Sequence, residues 1–221
     1  LSMQERMTLS NMSAEMGAQA GLVAPDQTTM DYLRTVGVEA EIDLEYWRTD
    51  EDALREVRSF DAGALSPMVA APHSPDNVHA VDALHGTAVQ LAYIGACTGA
   101  KLADLRAAAS VLKGRRIDPR VQLMVAPATL RDQQDAQDDG TLQILLDAGA
   151  QLFATSCGAC SGYGNALKGA ANVISTTARN FRGRMGSPET QVYLASPYTV
   201  AASALTGRIT DPRIAMAEAK Q

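Results

Sequence analysis

The sequence predicts an α/β fold of three layers, in which a mostly parallel sheet lies between helices. Short apolar runs alternate with helical patterns through the second half of the chain, as in strand–helix–strand units. The chain has 221 residues, 46% of them apolar, which is enough to bury one large core or two modest ones. Four strands are predicted, at residues 89–94, 121–126, 151–154 and 191–195.

The N-terminal part is predicted to begin with two helices. Residues 3–19 carry apolar side chains at helical spacing, and Gly21 follows as a stop. A second helix opens at Pro25-Asp26 and ends before Gly37. The pattern over residues 38–63 is ambiguous, with a strand predicted at 57–62.

A proline-rich connector follows, and it predicts a domain boundary near residue 85. The connector contains Pro67, Pro72 and Pro75, which favour irregular, extended backbone. We therefore expect a partial α/β subdomain over residues 1–85 and an α/β domain over residues 86–221.

The helices of the second domain are marked by their apolar faces and their ends. Residues 101–112 place leucines and alanines on one face and stop at Gly114, and further helices are predicted at 130–138 and 142–148. In the last helix Ser196 is suited to the N-cap, Pro197 to the first turn and Gly207 to the end.

Composition excludes several classes of protein. A formal net charge of −6 argues against general nucleic-acid binding, which relies on Lys and Arg against phosphates. No apolar run reaches 18 residues, so no membrane span is predicted. Three cysteines are too few for a secreted disulfide framework, and we expect a reducing cytoplasm. The first residue is Leu, within a helical pattern, so we expect a piece of a longer or processed polypeptide.

The three cysteines form the most informative pattern, Cys97 followed by Cys157-x-x-Cys160. Each group follows a predicted strand, and the carboxyl ends of parallel strands meet at one edge of a sheet. The thiols are therefore expected to converge. Three protein ligands leave one position of a metal site open to substrate.

From spacing alone, four interpretations of these cysteines stay open. They are an iron–sulfur cluster, a structural zinc site, a redox pair and unrelated buried thiols. Zinc needs a fourth ligand, and the histidines (His73, His79 and His85) lie in or beside the connector. A redox pair does not need Cys97.

A second pattern places Arg179, Arg182 and Arg184 within six positions. A guanidinium matches a carboxylate with two parallel donors, which suits a small anionic substrate. Spacing alone slightly favours a solvated surface. Asn11 and Glu15, four residues apart on a predicted helix, are by themselves ordinary surface residues.

Together these segments resemble the aconitase superfamily, specifically the large subunit of 3-isopropylmalate dehydratase and its close relatives. The resemblance covers essentially the whole chain. It is carried, in chain order, by the stretch from Arg6-Met7-Thr8 to Pro25-Asp26, by Ile94-Gly95-Ala96-Cys97-Thr98, by Cys157-Gly158-Ala159-Cys160, by Thr177-Ala178-Arg179-Asn180-Phe181-Arg182-Gly183-Arg184 and by Leu194-Ala195-Ser196-Pro197.

The resemblance implies an aconitase-like fold and a [4Fe–4S] cluster with one iron that has no protein ligand. The cluster would be held by Cys97, Cys157 and Cys160. Glu15 would hydrogen-bond the hydroxyl or water at the open iron, and Asn11 would support the cluster side. Arg179 and Arg184 would bind substrate carboxylates.

The implied activity is that of a hydro-lyase acting on a small 2-hydroxy di- or tricarboxylic acid such as 3-isopropylmalate, in leucine biosynthesis. Alternatives are a dehydratase for 2-methylmalate, dimethylmalate or homoaconitate, or a non-catalytic iron–sulfur sensor or binding module. The family takes its serine base from a swivelling domain, a separate small subunit in isopropylmalate dehydratases. The family's N-terminal region is expected to be missing here, so this chain alone would be catalytically incomplete. Gly99 and Ala178 stand where the family commonly has Asn, which leaves the substrate open.

Overall fold

The computed structural model describes residues 1–39, 41–53, 55–162 and 166–218. It divides the chain into two compact units, Leu1–Leu65 and Ser66–Gln221. The second unit begins at Ser66 rather than near residue 86, because two short strands within the connector pair with the sheet.

The first unit carries two helices, α1 (Met3–Met12) and α2 (Gln27–Thr35). A capping box starts α1, in which Ser2 accepts from the Glu5 backbone and the Glu5 carboxylate accepts from that of Ser2. The predicted helix over 3–19 ends as an α-helix at Met12 and continues as a 3₁₀ turn, Ser13–Met16. Among its described residues this unit has no strand, so the strand predicted at 57–62 is wrong; a 3₁₀ turn follows at Ala62–Ala64.

An ion pair fastens the two helices of this unit to each other. The Arg6 guanidinium is buried, and its Nη1 and Nη2 donate to the two carboxylate oxygens of Asp26 at 2.7 and 2.8 Å. Asp26 is also the N-cap of α2, where it accepts from the backbone N–H of Thr28 and Thr29. No apolar side chain of the unit is buried within the described residues. The ion pair is therefore the contact between the two helices that the structure shows most clearly.

The second unit is built on a seven-stranded sheet in the order β2-β1-β7-β6-β3-β4-β5. Strand β1 is antiparallel to β2 and β7, and the other neighbours are parallel. The mostly parallel α/β class predicted from the sequence is confirmed. The strands are β1 (Met68–Ala70), β2 (Val78–Ala80), β3 (Leu91–Ile94), β4 (Gln122–Val125), β5 (Gln151–Leu152), β6 (Asn172–Ser175) and β7 (Gln191–Ala195).

One face of the sheet is covered by α-helices, as the apolar patterns predicted. Leu105 and Leu112 on α3, Leu145 on α5 and Val200 on α6 pack in a single cluster with Ile94 and other strand residues. The helices of this unit are α3 (Leu102–Leu112), α4 (Leu130–Asp138), α5 (Thr141–Ala148), α6 (Pro197–Thr206) and α7 (Pro212–Glu218). In the described part of the chain, no helix combines the length and apolar character needed to cross a membrane.

The opposite face is covered by loop segments rather than by α-helices in the described residues. Tyr93, Met124 and Val173 point from the strands into a second apolar cluster, where Ala159 and Met185 from the loops meet them. A 3₁₀ turn, Gly158–Ser161, lies in this covering layer. The segments that carry the Cys-x-x-Cys pair and the arginines therefore pack directly on the sheet.

Candidate metal centre

The carboxyl ends of three parallel strands carry the residues predicted to form the site. Strand β3 ends at Ile94, shortly before Cys97, and β5 ends at Leu152, shortly before Cys157. Strand β6, the neighbour of β3, ends at Ser175, and the arginine segment follows it. The topology thus sends both cysteine loops and the arginine segment from the same edge of the sheet.

The loop that carries Cys97 is fixed to the end of β6 by one hydroxyl. Thr176 Oγ1 accepts from the Gly95 N–H at 3.0 Å and donates to the Gly95 carbonyl at 3.1 Å. Ala96 adopts φ +72°, a left-handed conformation that is uncommon for a residue with a side chain. The loop is therefore held in one conformation immediately before Cys97.

The loop that carries the other two cysteines is fixed through its backbone carbonyls. The Cys160 N–H donates to the Cys157 carbonyl at 2.9 Å and closes the turn between them. The Tyr93 hydroxyl donates to the Cys157 carbonyl at 3.3 Å. Arg184 Nε donates to the Cys160 carbonyl at 2.9 Å. Strand β3 and the arginine segment thus both hold the cysteine turn in place.

Cys160 is the buried member of the three cysteines. All three are free; Cys97 and Cys157 are exposed, and Cys160 is buried. Burial raises the pKa of the Cys160 thiol, and a hydrogen bond and charge from Arg184 oppose that rise. The neighbouring Cys157 and Cys97 thiols raise this pKa further. The topology brings both cysteine loops to one edge of the sheet, and the convergence of the three thiols stays a prediction.

The three cysteines are the type of donor that holds an iron–sulfur cluster. Among the described residues, no three His, Cys, Asp or Glu side chains surround a point where one metal ion could bind. An iron–sulfur cluster is held by cysteine thiolates on separate irons, so its ligands need not converge on a point. Cys97, Cys157 and Cys160 supply three such thiols, on loops that hydrogen bonds fix to the rest of the structure.

The arginine segment is anchored to the sheet by a buried amide. Asn180 has no exposed surface, and its Nδ2 donates to the carbonyls of Ala71 at 2.9 Å and Val192 at 3.1 Å. Arg179 and Arg184 are half-buried on either side of this anchor. Arg184 is brought to the cysteine turn, and Arg179 lies in the loop that leaves β6.

Asn11 and Glu15 both belong to the first unit. Asn11 lies in α1 and Glu15 in the 3₁₀ turn that follows, so the predicted single helical face is interrupted between them. Both residues are half-buried, and Asn11 Oδ1 is a buried acceptor with no hydrogen-bond partner among the described residues. Their assignment to the site stays a prediction.

Comparison with known proteins decides the family. The model of the aconitase family (aconitate hydratase) matches residues 1–88 and 82–207, which is most of the chain. The chain belongs to the aconitase family. The family match includes all three cysteines and both arginines of the candidate centre.

Several curated members of the aconitase family are similar to this chain. The 3-isopropylmalate dehydratase large subunit 1 of Archaeoglobus fulgidus is 43% identical over 96% of this chain and 51% of its own length. The probable methanogen homoaconitase large subunit of Methanosarcina mazei is 46% identical over 96% and 54%. The homoaconitase large subunit of Thermus thermophilus is 44% identical over 94% and 48%. The chain spans about half the length of the curated relatives it matches.

Three residues that contact the candidate site were not identified from the sequence. Tyr93 and Thr176 contact the cysteine loops, and Asn180 anchors the arginine segment. Tyr93 follows the pattern of an ordinary strand residue, and Thr176 and Asn180 follow that of ordinary loop residues. Their roles depend on which backbone groups the tertiary fold places beside them, and no sequence signal marks that.

Proposed function

We propose that this chain is the cluster-bearing part of a hydro-lyase large subunit. The enzyme would dehydrate and rehydrate a small 2-hydroxy di- or tricarboxylic acid such as 3-isopropylmalate. The observation that carries the proposal is the placement of both cysteine loops and the arginine segment at one edge of the sheet, with Arg184 donating to the Cys160 carbonyl. Membership of the aconitase family and the names of the relatives support it.

Cys97, Cys157 and Cys160 would hold a [4Fe–4S] cluster with one iron open to substrate. When bound, the cluster supplies an electron-pair acceptor that makes hydroxide a better leaving group. Elimination and re-addition of water need no net change of oxidation state. The side chains of the protein would then orient the hydroxyacid and transfer one proton.

The arginines would orient the substrate through its carboxylates. Arg184 Nε is committed to the Cys160 carbonyl, which fixes the plane of the guanidinium next to the cysteine turn. A carboxylate bound to its remaining N–H groups would lie beside the cluster loop. Arg179, on the same anchored segment, would bind a second carboxylate, and two fixed carboxylates leave the substrate little freedom to rotate.

Proton transfer would involve residues outside the second unit, Ser66–Gln221. Glu15 would hydrogen-bond the departing hydroxyl, and Asn11 would support the cluster side. The base that removes the carbon-bound proton would be the serine that the family takes from its small subunit, and the relatives' names as large subunits support such a partner. A partner subunit is therefore needed for turnover, in a reducing compartment that keeps the exposed thiols available.

The choice between isopropylmalate and homoaconitate stays within this proposal. Relatives named for each acid are similar to the chain at 43% and 46% identity, a difference too small to favour one. A direct comparison of the two unsaturated acids, isopropylmaleate and homoaconitate, would assign the substrate.

Anaerobic reconstitution with iron and sulfide tests the proposal. The protein, expressed with any flanking polypeptide its gene encodes and with its small subunit, should bind about four irons per chain and hydrate one of the two unsaturated acids. Cys160→Ser should lose the iron and the activity together. Ser161→Ala is the matched control, because Ser161 is the exposed neighbour of Cys160 and should bind iron normally. A loaded complex that hydrates neither acid would refute the assigned activity.

A further inference from the structure

Tyr93 lies between the two cysteine loops. It is on β3, where its register partners are Met124 on β4 and Ser175 on β6. Its side chain is 1% exposed and belongs to the same apolar cluster as Cys160. Four residues later the chain reaches Cys97.

The ring of Tyr93 fills the space beside the Cys97 loop. A Cβ added to Gly95 would lie 2.2 Å from the ring Cζ and 2.4 Å from the hydroxyl, which is far inside van der Waals contact. The backbone at Gly95 is thus pressed against the aromatic ring, and the ring limits how closely this loop can approach the sheet.

The hydroxyl of Tyr93 reaches the other cysteine loop. It donates to the Cys157 carbonyl at 3.3 Å, and a Cβ on Gly158 would lie 3.3 Å from the same oxygen. One side chain therefore contacts the backbone of both loops that carry the cluster ligands. These loops are about 60 residues apart in the sequence, so their spacing depends on such tertiary contacts.

The apolar surroundings of the hydroxyl give it a specific role. A hydroxyl placed in an apolar cluster is unfavourable unless it forms a hydrogen bond, and phenylalanine would fill the same volume without that requirement. A tyrosine hydroxyl is protonated at neutral pH and can donate. The Cys157 carbonyl is the acceptor that the fold provides.

We propose that Tyr93 is a positioning residue that fixes the spacing of the Cys97 loop and the Cys157–Cys160 loop and thereby slows the loss of iron from the cluster. The inference rests on the proposed cluster. It concerns how firmly the protein holds the group, since Tyr93 contacts the ligand-bearing loops rather than the substrate.

Iron release from Tyr93→Phe tests this proposal. The variant keeps the ring and removes the bond to the Cys157 carbonyl. After anaerobic reconstitution it should bind as much iron as the parent, but release it to a strong ferrous chelator about fivefold faster. That ratio corresponds to about 1 kcal/mol, the net value of a typical hydrogen bond. Its visible circular dichroism, which reports the geometry around the cluster, should also change.

Tyr193→Phe is the matched control. Tyr193 is a half-buried tyrosine on β7 that packs against the opposite apolar cluster, and its variant should match the parent in both measurements. Thermal unfolding of the metal-free proteins separates positioning from a general loss of stability. Tyr93→Phe should unfold no more than roughly 2–4 °C below Tyr193→Phe, the shift expected for the loss of one hydrogen bond of about 1 kcal/mol.

Three results would overturn the inference. The first is an iron-release rate and a dichroism spectrum for Tyr93→Phe equal to those of the parent. The second is faster release with an unchanged spectrum and an equally large loss of stability in the metal-free protein. The third is a parent protein that binds no cluster, which refutes the proposed function first; in the other two cases the proposed function stands.

Discussion

Gly99 provides a test of the site that needs neither metal nor substrate. It follows the Cys97-Thr98 pair, and a Cβ at this position would lie 2.2 Å from the Thr176 carbonyl oxygen and 2.5 Å from Thr176 Cβ. The nearest atom belongs to the backbone at the end of β6, where the Thr176 N–H donates to the Tyr93 carbonyl at 3.0 Å. A rotamer change therefore cannot relieve the overlap in Gly99→Ala.

The expected cost follows from this contact. Inserting a methyl group into a tightly packed position costs about 1–3 kcal/mol, and because backbone must move, we expect about 3 kcal/mol. A unit of this size loses roughly 2–4 °C of melting temperature per kcal/mol, so Gly99→Ala should melt roughly 6–12 °C below the parent. Differential scanning calorimetry of the metal-free protein measures this shift.

Gly63→Ala is the control for Gly99→Ala. The Cβ at Gly63 would meet only the Asp61 carboxylate oxygen at 3.2 Å, the end of a movable side chain, and its melting temperature should stay close to that of the parent. Thr176→Ala should not rescue Gly99→Ala, since the closest contact is to the main-chain oxygen. Equal melting temperatures for Gly99→Ala and the parent would refute the close approach of the Cys97 loop to the end of β6.

Two further predictions concern the arginine at the cysteine turn and the ion pair of the first unit. Arg184→Lys keeps the charge but loses the planar guanidinium and its hydrogen bond to the Cys160 carbonyl. Substrate affinity should therefore fall about 10- to 150-fold, which corresponds to about 1.5–3 kcal/mol for hydrogen bonds to charged groups. Calorimetry on the cluster-loaded complex measures this affinity. The exposed neighbour Arg182 serves as control through Arg182→Lys, and unchanged affinity in Arg184→Lys would remove that residue from the substrate site. In the first unit, the hydrogen bond from Arg6 lowers the pKa of Asp26 from 3.8 to about 2. The ionised Asp26 therefore stabilises the folded unit fully above about pH 4, and this contribution is lost as the pH falls toward 2. Hydrogen exchange in α1 and α2, corrected for its intrinsic pH dependence, should accelerate over that interval in the parent but not in Asp26→Asn, and equal pH profiles for the two would contradict the assignment.

The elements that can be predicted from this sequence are those whose own side chains specify them. Strand β3 is a continuous apolar run, β4 is apolar from Leu123 to Val125, and α6 carries its own N-cap and C-terminal glycine at Ser196 and Gly207. Each of these signals is local, so no knowledge of the partner element is needed. For the same reason the order of elements from β3 to β5 follows the prediction.

The elements that were missed are those specified by their partners. Strand β6 has only two apolar residues, Val173 and Ile174, between Asn172 and Ser175, and it exists because β3 and β7 flank it. Strands β1 and β2 lie among prolines and are three residues long. The connector belongs to the sheet because β1 pairs with β7, not because its residues favour strands. The second unit therefore begins at Ser66.

The candidate site divides in the same way. The convergence of the cysteine loops could be predicted, because parallel strands place their carboxyl ends at one edge. The bond from Arg184 to the Cys160 carbonyl and the position of Tyr93 could not, since both depend on how the covering loops pack on the sheet. Sequence thus suggests the candidate ligands, and structure shows which side chains contact the loops that carry them.

Mössbauer spectroscopy of the protein reconstituted with ⁵⁷Fe tests the central claim most directly. If Cys97, Cys157 and Cys160 hold a [4Fe–4S] cluster with an open iron, the spectrum should account for about four irons per chain. The parameters of one of the four should change when the hydroxyacid is added. A spectrum in which all the irons are equivalent and insensitive to the acid, or a protein that binds no iron under these conditions, would contradict the account.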